Sequence, residues 1–129
     1  ANPQKTLSLQ IDATNEVLLW TEQKLNQMEK LKVPLNKVIL DPGIGFGKMA
    51  LHSFQLLQNI EAFLKFNQKI LIGHSRKSFM NMFAKKDFSL RDPETLGISL
   101  YLINKKVDII RVHDAVLHKR ALLAYQHCL

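Results

Sequence analysis

Three short aliphatic segments, each followed at once by glycine or polar residues, constrain the fold of this chain more than any other feature. They lie at residues 37–40, 70–72 and 108–110 of the 129-residue sequence. Most of their side chains are branched and apolar without polar alternation, which is typical of strands buried on both faces of a parallel sheet. We predict three strands over about residues 37–40, 70–73 and 108–112.

Helical patterns of apolar residues separate these segments. We predict helices over about residues 15–32, 52–66, 78–84, 94–104 and 115–126. In the helix that begins near residue 94, Leu96, Leu100 and Ile103 are predicted to form the apolar face. Pro93 suits the first turn of that helix, and Asp114 is predicted to cap the last helix.

The helical connections between the strands are long enough to imply parallel pairing, so the predicted fold class is α/β. Two architectures satisfy this order of elements: a doubly wound sheet and part of a (β/α)8 barrel. Three strands cannot close a barrel, and they leave two sheet edges open. The spacing of the elements does not choose between the two architectures.

Composition excludes several classes of function. The chain is 47% hydrophobic and 22% charged, as expected for one globular core. The formal net charge of +7 comes from scattered basic residues, which we interpret as solvated surface, and we predict no nucleic-acid partner. The sequence contains no run of about 18 apolar residues, so no membrane span is predicted. Cys128 is the only cysteine, so no internal disulfide is possible and the reducing cytoplasm is the expected compartment.

The first polar cluster, residues 41–48, follows the first predicted strand and is called the glycine loop below. Its alternating glycines allow a ligand to approach the backbone closely. Asp41 lies where the strand ends, so its carboxylate could accept paired hydrogen bonds from an N–C–N edge such as a pterin presents. The alternative is a glycine-rich turn in which Asp41 bonds local backbone. A phosphate-binding P-loop is disfavoured because Lys48 is followed by Met49.

The second polar cluster, residues 73–78, follows the second predicted strand and is called the serine loop below. Ser75, Arg76 and Lys77 lie just before a helical turn, where an anion or a carbonyl oxygen would be favoured. The alternative interpretation is a pair of solvated basic residues, with Ser75 capping the helical turn.

The third cluster, residues 111–114, follows the third predicted strand. Alternation along the strand places Arg111 and His113 on the same side, where they could bind a diphosphate together. Asp114 is predicted to cap the following helix. The other histidines lack metal-ligand spacing, and we predict structural or surface roles for His52, His74, His118 and His127.

The three clusters, in this order and spacing, closely resemble the signatures of the dihydropteroate synthase family. The resemblance rests on Leu40–Lys48, on Gly73-x-Ser-Arg-Lys77 and on Arg111–Asp114, and Asn2–Thr6 is similar to a further family motif. It covers essentially all 129 residues. It implies that residues 1–129 are a partial, C-terminal half of a (β/α)8 barrel that holds strands six to eight, with the N-terminal half absent from this sequence.

The resemblance also implies a reaction. The family condenses 6-hydroxymethyl-7,8-dihydropterin diphosphate with p-aminobenzoate to give 7,8-dihydropteroate and diphosphate in folate biosynthesis, and it is a sulfonamide target. Mg²⁺ is the expected cofactor, with a ligand expected in the N-terminal half. A homodimer is the expected assembly, and the 129 residues alone are expected to be inactive and prone to associate.

Family roles carry over to residues of this sequence by position. The family positions that bind the pterin match Asp41, Gly45, Gly73, Lys77 and Arg111. The positions that border p-aminobenzoate match Phe46, Ser75 and Lys77. The diphosphate positions match Arg111 and His113, and the resemblance assigns catalysis to Lys77, Arg111 and His113.

Two other functions compete with this one. A pterin-dependent methyltransferase barrel that works with a corrinoid partner would keep the glycine loop, but methyl transfer offers no diphosphate for Arg111 and His113 to bind. A non-catalytic half-barrel binding module would have no reason to carry three polar clusters at three strand ends.

Overall fold

A computed structural model describes residues 12–129, so the segment Asn2–Thr6 lies outside the described residues. Four α-helices and three strands alternate along this part of the chain. In order they are α1 (Ala13–Lys30), β1 (Ile39–Leu40), α2 (Ala50–Gln58), β2 (Lys69–Ile72), α3 (Asp92–Asn104), β3 (Ile109–Ile110) and α4 (Ala115–His127). Short 3₁₀ helices at Leu35–Lys37, Ile60–Phe66, Ser78–Met82 and Phe88–Leu90 complete the connections.

The three strands form one parallel sheet in the order β1-β2-β3, as predicted. Ile39 pairs with Lys69, and Leu71 pairs with Ile109. The first and third strands are shorter than predicted, and β2 has the predicted length but begins one residue earlier. At the first strand, Lys37 belongs to a 3₁₀ turn that begins after Pro34, so extended backbone starts only beyond it.

The predicted helix over 52–66 is wrong in its second half, because α2 ends at Gln58 and a 3₁₀ helix follows. The Asn59 side chain explains the break. Its Nδ2 donates to the Gln55 carbonyl at 2.8 Å and to Thr14 Oγ1 at 3.3 Å. Asparagine bonds of this kind compete with the helical backbone ladder and favour termination.

The predicted apolar face of α3 is also wrong. Leu96, Leu100 and Ile103 are only partly buried, whereas the fully buried positions of the helix are Thr95, Ser99 and Leu102. Both hydroxyls bond carbonyls one turn back, Thr95 Oγ1 to Arg91 O at 2.7 Å and Ser99 Oγ to Thr95 O at 2.9 Å. Because the hydroxyls are satisfied, this helix can bury a polar stripe.

The other α-helices lie within two residues of their predicted bounds, but the helix predicted over 78–84 is a 3₁₀ helix at Ser78–Met82. Asp12 caps α1 by accepting from the Asn15 backbone N–H at 3.1 Å, and Asp114 caps α4 by accepting from Leu117 N–H at 2.9 Å. Pro93 lies in the first turn of α3. No helix among residues 12–129 combines the length and apolarity needed to cross a bilayer.

The hydrophobic core joins the middle strand to α2 and to the ends of the flanking helices. Ile70 and Ile72 of β2 are fully buried in it. Its members are Ile44, Leu56, Leu57, Ile60, Phe63, Ile70, Ile72, Phe79, Met80, Leu102 and Val107. Since β2 is paired on both sides and packed into this core, it is the element that fixes where the serine loop begins.

Candidate functional site

A cavity of about 300 Å³ lies at the carboxyl ends of β2 and β3. Its wall consists of Gly73, Ser75, Lys77, Arg111, Val112 and His113. Parallel strands bring their carboxyl ends to one edge of a sheet, which is where ligands bind in α/β folds. Five of the eight sequence-predicted site residues therefore meet in this one cavity. Asp41, Gly45 and Phe46 lie in the glycine loop, which follows β1 at the same edge.

Ser75 and His113 connect the two strand ends directly. Ser75 Oγ accepts the backbone N–H of His113 at 3.1 Å and lies 2.8 Å from His113 Nδ1. Since the hydroxyl already accepts the backbone N–H, its own proton points to Nδ1. The neutral His113 ring then carries its proton on Nε2, which leaves a hydrogen-bond donor on the exposed side of the ring.

Lys77 connects the serine loop to the glycine loop. Its Nζ donates to the Ile44 carbonyl at 2.6 Å and lies 4.3 Å from the centre of the Phe46 ring. Burial, followed by the positive charge of Arg111, lowers the pKa of Lys77, and the Asp41 carboxylate opposes that shift. Lys77 is thus a cation held between a carbonyl and an aromatic face.

Arg111 is exposed and lies against Gly73. A Cβ atom on Gly73 would come within 2.5 Å of Arg111 Nη2, so only glycine leaves room for the guanidinium there. The Arg111 backbone N–H donates to Ile72 O at 2.9 Å, which extends the β3 pairing by one bond. The strand end therefore aims the guanidinium across the mouth of the cavity.

Asp41 takes part in a local turn and keeps one oxygen for other use. Its Oδ1 accepts the Gly43 backbone N–H at 2.9 Å, as in the turn interpretation of this loop. That bond does not use Oδ2, and the residue is exposed. The Asp41 carboxylate opposes the burial that lowers the pKa of both Lys48 and Lys77, so its negative charge lies near both cations.

The glycine loop closes through its own backbone. Gly43, Gly45 and Gly47 have φ values of 75°, 83° and 58°, a region that favours glycine. Lys48 Nζ donates to the Gly43 carbonyl at 2.9 Å and to the Phe46 carbonyl at 2.8 Å. Burial lowers the pKa of Lys48. In the sequence, Lys48 served only as evidence against a P-loop, and its bonds to the loop carbonyls were not predicted.

The serine loop is fixed by side chains of α3 instead. Arg76 has a φ of 57°, which is unusual for a residue with a side chain. Its N–H donates to Thr95 Oγ1 at 3.0 Å, and its carbonyl accepts from Arg91 Nη1 at 2.7 Å. Its guanidinium forms a two-bond ion pair with Asp92 at 2.8 and 2.9 Å. The interpretation of Arg76 as a solvated residue is therefore wrong.

Arg91 is the most buried charged residue of this region and was missed by the sequence argument. Besides Arg76 O, its guanidinium donates to the carbonyls of Lys85 and Lys86. It is 5% exposed. A recognisable signal exists in the sequence, because Arg91, Thr95 and Ser99 recur every fourth residue and so share one face of α3.

The described residues do not offer a metal site of their own. Residues 12–129 contain no group of three or more His, Cys, Asp or Glu side chains that could hold an ion. Three histidines predicted to be structural or superficial are buried: His52, His74 and His118. His127 is exposed and its Nδ1 bonds the Leu123 carbonyl at 2.7 Å.

The fold and the cavity together define a class of protein, a parallel α/β domain whose strand ends bring basic side chains and a hydroxyl to one cavity. Residues 2–113 match the family described as "Pterin binding enzyme". The chain belongs to that family.

Related proteins agree with this assignment. The chain is 35% identical over 122 residues to the "Folate synthesis bifunctional protein" of Chlamydia caviae, covering 95% of this chain and 27% of that protein. The crystal structure of dihydropteroate synthase from Anaplasma phagocytophilum, with bound 6-hydroxymethylpterin-monophosphate, superposes with a TM-score of 0.86 at 28% identity and covers 100% of this chain and 50% of that chain. For the Thermus thermophilus enzyme in complex with 4-aminobenzoate, the TM-score is 0.84 at 29% identity, with 92% of this chain and 46% of that chain covered.

The chain thus spans about half the length of these solved enzymes, and about a quarter of the bifunctional relative. Its three parallel strands and flanking helices match a continuous half of the dihydropteroate synthase fold, as the resemblance predicted.

Proposed function

We propose that the protein containing this chain is a dihydropteroate synthase, which joins 6-hydroxymethyl-7,8-dihydropterin diphosphate to p-aminobenzoate and releases diphosphate. The observation that carries the proposal is the meeting of Ser75, Lys77, Arg111 and His113 in one cavity at the strand ends. Membership of the pterin-binding family supports the pterin as ligand.

Arg111 and His113 are proposed to bind the diphosphate. In the reaction the aniline nitrogen forms a bond to the pterin methylene carbon and loses a proton, while the C–O bond breaks and both its electrons leave with the diphosphate. Negative charge therefore grows on the leaving oxygen. A guanidinium and an Nε2–H donor fixed at one strand end stabilise that charge without rearrangement, and no protein nucleophile is required.

The glycine loop is proposed to hold the pterin. Asp41 Oδ2 is available to accept from the amino-pyrimidine edge, while Oδ1 keeps the loop closed through Gly43. Gly45 faces the Lys77 side chain, since a Cβ at Gly45 would meet Lys77 Cδ at 3.0 Å. Gly73 leaves the space that the Arg111 guanidinium occupies. The two glycines thus support the placement of both cations beside the ring.

Phe46, Ser75 and Lys77 are proposed to border p-aminobenzoate. The Phe46 ring is 53% exposed, so it can form an apolar wall for an aromatic ligand. Ser75 lines the cavity, and its hydroxyl proton can turn from His113 Nδ1 to a carboxylate. Sulfonamides that mimic p-aminobenzoate would compete at the same wall.

Three further features belong to the proposal. Mg²⁺ is proposed to pair with the diphosphate, and the resemblance implies a protein ligand for it in the N-terminal half of the family fold. A homodimer and a cytoplasmic location are proposed on the sequence argument given above.

The alternative functions have less support. Methyl transfer to a corrinoid would give Arg111 and His113 no anion to bind, yet both line the cavity. A non-catalytic module would not require a fixed ring tautomer at His113. A synthase accounts for the position of Arg111 and His113 in the cavity and for the His113 tautomer.

An assay of dihydropteroate formation by the complete polypeptide tests the proposal. Arg111→Ala should lower kcat/KM roughly 10- to 100-fold, since one charge-assisted bond contributes about 1.5–3 kcal/mol. Arg120→Ala is the matched control, because Arg120 is an exposed arginine on α4 that does not line this cavity. Absence of product from the wild-type protein, or equal rates in the two variants, would contradict the proposal.

A further inference from the structure

A buried hydrogen-bond bridge runs from the serine loop through α3 to α4. It consists of His74, Ser99 and His118, which are 0%, 0% and 3% exposed. His74 Nε2 lies 2.9 Å from Ser99 Oγ and 3.2 Å from the Thr95 carbonyl. His118 Nε2 lies 3.0 Å from the same Ser99 Oγ. Two imidazoles therefore share one hydroxyl in the interior.

The partners of the bridge determine which ring nitrogens carry protons. His118 Nδ1 lies 2.9 Å from the Asp114 carbonyl, which can only accept, so the His118 proton is on Nδ1. His118 Nε2 lies 3.0 Å from Ser99 Oγ, whose single proton is shared between that nitrogen and the Thr95 carbonyl at 2.9 Å. His74 Nε2–H donates to Ser99 Oγ. The three side chains therefore form one connected set of hydrogen bonds from the serine loop to the carbonyl of Asp114.

The bridge joins the same two chain segments that form the cavity. His74 immediately precedes Ser75, and Asp114 immediately follows His113. Ser75 and His113 are bonded to each other at the cavity wall. The ends of β2 and β3 are thus connected twice, once by Ser75 and once by the bridge one residue away on each segment.

We propose that His74, Ser99 and His118 are positioning residues of this site, which hold the serine loop at a fixed distance from Arg111 and His113. The proposal rests on the proposed function for the identity of the ligand, but the positioning itself concerns only residues of this chain. None of the three side chains lines the cavity, so they act through Ser75 and His113. Loss of the bridge would leave the ligand groups present but misaligned.

The bridge requires a neutral ring at His74, with its proton on Nε2. A second proton would be placed on Nδ1, a buried atom without a hydrogen-bond partner among the described residues.

Nitrogen-15 NMR of histidine-labelled protein at pH 7 tests the bridge directly. We expect opposite tautomers at the two buried rings, Nε2–H at His74 and Nδ1–H at His118. The Nδ1 resonance of His113 should show that it accepts a hydrogen bond from Ser75. A proton on Nδ1 of His74, or the lack of one on Nδ1 of His118, would overturn the bridge. This result does not depend on whether the protein is a synthase.

Kinetics of the complete polypeptide tests the positioning. Ser99→Ala should lower kcat about tenfold with a smaller change in KM for either substrate, and should shift the His113 Nδ1 resonance. Thr21→Ala is the matched control, because it removes an equally buried hydroxyl from α1 that bonds only the Val17 carbonyl. If Ser99→Ala and Thr21→Ala behave alike in kcat and in the His113 resonance, the positioning role is wrong.

A pair of substitutions at His74 separates positioning from folding. His74→Gln places an amide N–H near the position of Nε2 and should keep kcat within about threefold of wild type, whereas His74→Leu should reproduce the Ser99→Ala defect. Equal activity of the two variants would contradict the proposal. An inactive wild-type protein whose His113 resonance still responds to Ser99→Ala would reject the proposed function and retain the positioning role.

Discussion

The glycine loop and the serine loop reach defined shapes in opposite ways. In the glycine loop, three glycines adopt positive φ values and Lys48 ties the loop to its own carbonyls. In the serine loop, Arg76 adopts a positive φ in spite of its side chain and is held by residues of α3 and by Arg91 just before it, which lie 15 to 19 positions away. The first loop depends on local backbone freedom, and the second depends on a distant helix.

This difference explains which parts of the site a sequence motif reveals. The residues that fix the shape of the glycine loop all lie within its own sequence motif. The serine loop motif contains the groups proposed to contact the ligand, but not the residues that fix the shape of the loop. Substitutions that remove support from each loop should therefore differ in size and in kind.

Arg91→Met should have the largest effect on stability. It removes the three charge-assisted bonds that the buried guanidinium donates to the carbonyls of Arg76, Lys85 and Lys86, and we expect a loss of about 4 kcal/mol. Lys48→Met removes two bonds in the glycine loop at a partly exposed position and should cost about 1 kcal/mol. Urea unfolding of both variants measures the contrast. Equal losses would remove the distinction between the loops.

Lowering the pH should reduce the free energy of unfolding through His74, which helps to hold the serine loop. Burial lowers the pKa of His74 to about 4 from its ordinary 6.5, with the charges of His118 and Lys77 adding to the shift and the Thr95 carbonyl opposing it. Between these values the unfolded chain binds a proton that the folded chain does not. Stability therefore falls as pH falls from 6.5 towards 4, by about 3 kcal/mol in total.

The His74→Gln variant provides the reference for that acid effect. Unfolding free energies of wild type and variant, measured from pH 7 to pH 4, should converge as the pH falls. Parallel curves would show that His74 does not titrate in this window. In the glycine loop, burial lowers the pKa of Lys48.

Glycine substitutions should affect the two loops in different measurements. Gly73→Ala would press on the end of the Arg111 side chain, which can move, so stability should change little while affinity for diphosphate falls roughly 30-fold. Gly45→Ala, at a φ of 83°, should instead cost about 1–2 kcal/mol of stability.

Gly97→Ala is the control for both glycine substitutions. Gly97 lies within α3, and an added Cβ there meets no described atom within 4 Å. We expect stabilisation by up to about 1 kcal/mol and unchanged affinity. Calorimetry with diphosphate and thermal unfolding distinguish the outcomes, and an affinity loss in Gly97→Ala would show that the effect at Gly73 is not local.

Asp41→Asn should have a small effect that is confined to binding. The amide oxygen can still accept from Gly43 N–H, so the loop stays closed, but the charge that faces the pterin is lost. We expect about a tenfold weaker pterin affinity, equivalent to about 1.4 kcal/mol. Calorimetry with the pterin measures it in the complete polypeptide. Unchanged affinity would remove Asp41 from the proposed pterin site.

The order of elements and the place of the site could be predicted from the sequence because both follow from local patterns. Aliphatic segments such as Ile70–Ile72 predicted buried strands, and the polar residues after them had to meet at one sheet edge. The prediction for the α3 face failed because the pattern was weighted by apolarity. Thr95 and Ser99 are buried through bonds to His74 and Arg76, partners that no local pattern contains.

The end of α2 at Gln58 was not predicted from the sequence, for a related reason. The apolar spacing from His52 to Phe66 continues without interruption, and only the Asn59 side chain, bonded to Thr14 of another helix, stops the regular ladder. Such contacts between elements depend on the tertiary structure, which the sequence pattern of a single segment does not specify.

The arrangement around Lys77 has a consequence for recognition. Lys77 donates one of its three ammonium protons to the Ile44 carbonyl and keeps two for a ligand. Because this bond holds the side chain before any ligand arrives, the rotamer entropy of the lysine, roughly 2 kcal/mol, is lost during folding rather than during binding. A cation held in this way selects ligands by distance. If the acceptor of a ligand lies one bond length too far from Lys77 Nζ, the side chain cannot move to reach it.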